Sequence, residues 1–138
     1  MNKILKLLPF LLIVLVANVR SEENSGPVDS EKGVLEAVPE KGIRLSEKAL
    51  KTLEISAAPL DGASSHRIPT TALVYYQDHV GVYRLRNGWY KLIEVKIEDK
   101  SPKSTLVRSA GLKPDDEIVV TGVALLRVAE MDAFGGEE

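Results

Sequence analysis

The sequence predicts a mainly β fold: a small antiparallel β-roll or barrel of about seven short strands, with one short helix against an opening. Three observations predict it. Ile93, Val95 and Ile97 alternate with Glu94, Lys96 and Glu98, the pattern of a half-buried antiparallel strand. Asn87-Gly88 joins that stretch to a second apolar one, and this pair best accommodates positive φ at both centres of a type I′ turn. Elsewhere turn residues recur so often that only the stretch after Ser46 reads as a helix packed within the sheets.

The elements follow in chain order. Ile43 and Leu45 alternate as in a short strand beginning near Gly42. Ser46 is a good N-cap for a helix of about two turns from Glu47 to Leu53, and Leu45 with Leu50 can form a hydrophobic staple across it. Such a helix is unstable alone, so it has to lie on a sheet. The period then returns to two: Ile55 and Ala57 predict a strand stopping at Pro59, with a turn at Asp61-Gly62. His66 to Ile68 reads as the next strand, with Pro69 at an edge or strand start. Ala72, Leu73 and Val74 return to the core, and Gln77 to His79 turn the chain. Val80–Arg86 and Trp89–Glu98 are the arms of the Asn87-Gly88 hairpin. Leu106 and Val107 start another strand, Leu112 to Asp116 form a turn, and Ile118 to Thr121 re-enter the sheet. Ala124 to Met131 reads as a terminal helix, and Phe134 begins a frayed tail.

The 138 residues suffice for one domain with a modest core. We divide them into a signal peptide (1–21), a disordered polar tether (22–41), a β domain (42–127), and a helix end with frayed tail (128–138). Lys3 and Lys6 precede an apolar run of eleven residues from Leu7 to Ala17, and Val19 and Ser21 suit cleavage before Glu22. That run is shorter than the roughly 20 residues a spanning helix needs. A periplasmic location after cleavage follows, with an uncleaved inner-membrane anchor as the alternative. Within the tether, Val34, Leu35 and Val38 are the residues from which a marginal strand or turn could form.

Cleavage removes Lys3, Lys6 and Arg20, leaving 15 basic against 20 acidic residues, a net charge of −5. An acidic domain gives no electrostatic reason to expect nucleic acid as a partner. The absence of cysteine excludes a disulfide framework, thiolate metal sites and a cysteine nucleophile.

Little else points to chemistry. His66 and His79 are the two imidazoles, and a metal site would need them to converge with a carboxylate such as Asp61, Asp78 or Glu94. Their spacing matches no close ligand motif, and surface histidines without a role are the commoner case. Ser65 and His66 are adjacent, so on a strand they face opposite ways and cannot pair as nucleophile and base. Asp115-Asp116-Glu117 lacks the spacing of a calcium loop and reads as a solvated acidic turn. We therefore expect no cofactor and no enzymatic activity. Tyr75, Tyr76, Tyr83, Trp89 and Tyr90 cluster around the hairpin. Of these, Trp89 and Tyr90 are the candidates for an interaction surface, because they flank a turn and such rings make strong anchors.

Three segments also carry a resemblance. Leu45, Ser46, Ala49, Ile55, Ala58 and Pro59 form the first; Ile68, Pro69, Ala72, Leu73, Val82, Tyr83, Val95 and Ile97 the second; Gly111, Leu112, Lys113, Pro114, Asp116, Val119, Val120 and Gly122 the third. In this order they resemble the membrane-proximal domain of periplasmic adaptors (membrane fusion proteins) of resistance–nodulation–division efflux pumps, especially the heavy-metal-type branch. Asp115 stands where the family's turn has glycine, a change a type I turn tolerates. Full adaptors insert a β-barrel, a lipoyl-like domain and an α-helical hairpin between the first and second segments; here only Asp61 to His66 lies between them. The resemblance thus implies a stand-alone adaptor-like docking domain without the part that bridges two membranes. The partner it implies is an inner-membrane efflux pump or a full-length adaptor. A periplasmic metal-binding or metal-delivery domain using His66 and His79 is the alternative.

Overall fold

The computed structural model describes residues 33–135, so the expected signal segment, the first part of the tether and the end of the tail lie outside the described residues. Ten strands run through these residues: β1 (Val34–Val38), β2 (Gly42–Leu45), β3 (Ser56–Pro59), β4 (His66–Pro69), β5 (Val74–Tyr76), β6 (His79–Arg86), β7 (Trp89–Glu94), β8 (Lys96–Lys100), β9 (Ser104–Arg108) and β10 (Glu117–Thr121). Helix α1 (Glu47–Thr52) follows β2, a 3₁₀ turn spans Thr70–Ala72, and helix α2 (Val123–Gly135) follows β10.

Local chemistry places the first helix as expected. The Ala49 N–H donates to the Ser46 hydroxyl at 3.0 Å, satisfying one of the free donors of the first turn. At the other end the Ile55 N–H donates to the Leu50 carbonyl across Glu54, which sits at φ 51. This is a Schellman stop in which a glutamate occupies the position that favours glycine. The hairpin turn is also as predicted, with Asn87 at φ 52 and Gly88 at φ 79.

All strand pairings are antiparallel. The larger sheet runs β1-β2-β7-β6-β10-β3, with β5 on the part of β6 that β10 leaves open, and the smaller runs β4-β9-β8. The mainly β prediction holds, but the sheets do not close into a barrel. They stack instead, because the central strands bury both faces. On β10, Ile118 packs into a core shared with Ile68, Leu73, Val95 and Val107, while Val119 packs into another with Ile43, Tyr83, Val123 and Leu126. On β6, Val82 belongs to the first core and Tyr83 to the second. One core therefore lies between the two sheets, and the other between the larger sheet and the helices.

Four boundaries differ from expectation. Val34–Val38 is a strand within the expected tether; only its end residues are half-buried, so its place comes chiefly from pairing with β2 rather than from a buried face. The stretch from Trp89 to Glu98 is two strands. Val95 leaves the larger sheet, its N–H still donating to the Val80 carbonyl, and β8 joins the smaller one. Alternating burial persists across this corner, with Ile93 and Ile97 both packed against the inter-sheet core, so periodicity cannot register it. Asp61-Gly62 opens a bend that crosses from one sheet to the other rather than a tight turn. Finally, α2 runs without a break through the expected boundary at residue 128.

Candidate functional site

The two histidines have separate uses. His66 opens β4 and is 3% exposed, and its Nδ1 lies 2.7 Å from Asp61 Oδ1. That contact ties the end of the inter-sheet crossing to its start. His79 opens β6 on the other sheet, half-exposed, with Nδ1 2.9 Å from Glu94 Oε1 and its ring stacked on Tyr76 at 5.6 Å. Each imidazole thus meets a single carboxylate. Among the described residues no three His, Cys, Asp or Glu side chains are grouped closely enough to hold a metal. Asp78, in the loop between β5 and β6, is exposed.

Ser65 and His66 diverge as neighbouring strand residues should. The Ser65 hydroxyl donates to Glu98 at 2.6 Å, and Arg108 approaches the same Glu98 at 2.8 Å. Nucleophile and base are thus engaged elsewhere, each in a structural contact.

The acidic turn is likewise internally occupied. Asp116 is 2% exposed and takes two parallel hydrogen bonds from Arg86, both 2.6 Å, and one from the Lys113 N–H at 2.7 Å. Burial by itself pushes its carboxyl up, but the bonds from Arg86 and the Lys113 N–H, with the charges of Arg86 and Arg84, bring it below the ordinary carboxylate range. Arg84 adds a bond to the Gly111 carbonyl at 3.0 Å, so two arginines of β6 hold the 111–116 segment.

A second buried cluster fastens α2. The Tyr83 hydroxyl donates to Glu130 at 2.5 Å, and Arg127 donates to the same carboxylate at 2.6 Å while lying over the Tyr76 ring. Burial and the bond to Glu130 push the Tyr83 phenol well above its usual range. These two clusters escaped sequence reasoning because their members lie 30 and 47 residues apart.

Trp89 and Tyr90 separate sharply. Tyr90 is 6% exposed, packed in the helix-side core, and also lines the cleft beside the hairpin end. Adjacent strand residues face opposite ways, and the core took Tyr90. Trp89 is half-buried at the hairpin end, with Lys41 Nζ 5.3 Å and the Arg44 guanidinium 5.7 Å from the ring centre. Beside it, a cleft of about 550 Å³ runs from Arg44 and Gly88 to Lys113, Asp115 and Glu117. This end of the molecule offers an aromatic face, two cations stacked on it, and a mixed-charge hollow. Such a surface can bind polar or acidic protein.

No family model, curated protein or solved structure matches the chain. Among the described residues no helix is long and apolar enough to cross a membrane.

Proposed function

We propose that the protein is a stand-alone periplasmic adaptor-like domain of an efflux system, exported by its N-terminal segment and acting by contact with an inner-membrane pump or a full-length adaptor. One observation carries the reading. Each of the three segments that resemble the adaptor domain contributes a strand to the larger sheet, where β10 of the third pairs with β3 of the first and β6 of the second. Asp61 to His66 spans the interval between the first two segments, and its last residue, His66, clasps its first, Asp61. The chain thus folds as a unit without the domains that adaptors insert there.

The surface we assign to the partner is the hairpin end, where Trp89 is the anchor and Lys41 and Arg44 supply positive charge. Export gives the domain access to the pump's periplasmic face, and among the described residues no helical hairpin stands between β3 and β4, so the role we assign is docking rather than bridging.

The test is crosslinking in the native envelope followed by affinity purification of the tagged chain. The expected result is enrichment of a pump or adaptor component, reduced by Trp89→Ala. A preparation with neither component, from cells that make both, would overturn the proposal. Intact-mass measurement of the exported chain locates its first residue, expected at Glu22.

A further inference from the structure

Helix α2 carries an apolar surface that no described residue covers. Its inner residues Val123 and Leu126 are buried, yet Leu125, Val128 and Met131 are 50%, 54% and 54% exposed, and Phe134 is 43% exposed. These four recur every third residue, so they form one slanted ridge about 14 Å long. A surface helix of a small domain ordinarily turns polar residues outward. Beside the ridge, between α1 and α2, lies a groove of about 620 Å³. Small residues line it, Ala49 from α1 and Ala129 and Ala133 from α2. Its charged residues are Lys48 on the α1 wall and Asp132 on the α2 wall.

We infer that this face is a two-fold interface between two copies of the chain. Of the segments outside the described residues, residues 1–21 are apolar but leave with the signal segment under the proposed function, on which this exclusion rests, and the other two do not match the face. Residues 22–32 hold one large apolar side chain, Val28, and residues 136–138 are Gly-Glu-Glu. A second copy matches it in both shape and charge. Ridge and groove lie side by side on one helix, so a two-fold axis sets each ridge into the other copy's groove, the self-complementary arrangement of an isologous contact. Ala49, Ala129 and Ala133 let the helices approach closely. The charges complete the match. The groove holds one cation and one anion on opposite walls, and the two-fold axis brings Lys48 of one copy to Asp132 of the other, twice. A groove lined by a single sign would repel its own copy.

Sedimentation equilibrium tests this on the full chain and on the chain starting at Glu22. The expected result is a concentration-dependent dimer of both. Val128→Glu should leave a monomer with an unchanged far-ultraviolet circular dichroism spectrum; if that variant misfolds, Leu125→Lys serves instead. Lys48→Glu and Asp132→Lys should each weaken the dimer by about tenfold, and the double exchange should recover most of the loss. Three results overturn the inference: a monomer of the Glu22 chain at all concentrations, a dimer indifferent to Val128→Glu, or a double exchange no tighter than the single ones. A full chain that stays monomeric while the Glu22 chain dimerises would assign the groove to residues 1–21 and also overturn it for the full chain. Trp89→Ala leaves the dimer unchanged, which separates this interface from the proposed partner surface.

Discussion

Replacing Asp116 with alanine should destabilise the domain by about 3 kcal/mol. The carboxylate is buried and takes three hydrogen bonds, two from Arg86 and one from the Lys113 N–H. The Arg86 side chain is 32% exposed, so its guanidinium recovers water when its partner is lost. Its two parallel bonds therefore contribute roughly 1.5 kcal/mol, the low end for charged partners, rather than the 3–5 kcal/mol of a fully buried pair. The Lys113 N–H loses its acceptor, at a further cost of about 1–2 kcal/mol. For a domain of this size, about 3 kcal/mol lowers the melting temperature by roughly 12–24 °C. Urea unfolding followed by circular dichroism, with thermal melts alongside, measures both. The pH dependence supplies a second arm. A carboxyl held low in the folded state stabilises above its unfolded value and loses that contribution as pH falls through its folded value, so the loss lies below about pH 4. Asp116→Asn should flatten the acid limb of the stability profile. A loss under about 1 kcal/mol for Asp116→Ala, or an acid limb unchanged by Asp116→Asn, would refute the reasoning.

Other perturbations test other contacts. Tyr83→Phe removes the hydroxyl bonded to Glu130 and should cost about 1.5 kcal/mol in urea unfolding. Because the folded phenol titrates above its unfolded value, its stabilisation is complete below about pH 10 and lost above it, so Tyr83→Phe should weaken the alkaline decline of stability. Glu54→Gly should stabilise by roughly 0.5 kcal/mol in the same assay, since relief at φ 51 exceeds the added freedom of the unfolded chain. Gly42→Ala should prevent or severely weaken folding, because at φ 99 the added Cβ would fall on the Tyr90 carbonyl; a folded variant with native hydrogen-exchange protection would contradict this.

Local signals in the sequence were read well where one or two neighbours decide the outcome. Ser46 marks the first helix through a hydroxyl that takes a backbone N–H three residues on, and Asn87-Gly88 marks the hairpin turn through its own backbone. Features that depend on distant partners were hidden. β1 buries neither face fully, so the pairing with β2 beside it is what makes it a strand. The corner at Val95 keeps its alternation while changing sheets. Trp89 and Tyr90 are instructive because adjacency on a strand already implies that only one of them faces outward. The α2 ridge was visible as Leu125, Val128 and Met131 at every third position, yet without knowing which side met the sheet it reads as an ordinary packing stripe. The Asp61–His66 clasp, five residues apart, joins a carboxylate to an imidazole already noted as candidates, but for a closure rather than a metal.

The wall formed by β6 and β10 has a consequence for how this fold is specified. In a sheet wet on one side, sliding a strand by one residue exposes its apolar set, and solvent itself forbids the error. Here a slip of β10 would merely exchange Ile118 and Val119 between two oily compartments. Polarity cannot distinguish the two registers, so shape and the flanking anchors have to. The helix-side compartment accepts Tyr83 where the inter-sheet compartment accepts Val82, and Arg86 at the end of β6 grips Asp116 immediately before β10. That ion pair is thus a registration mark as well as a bond.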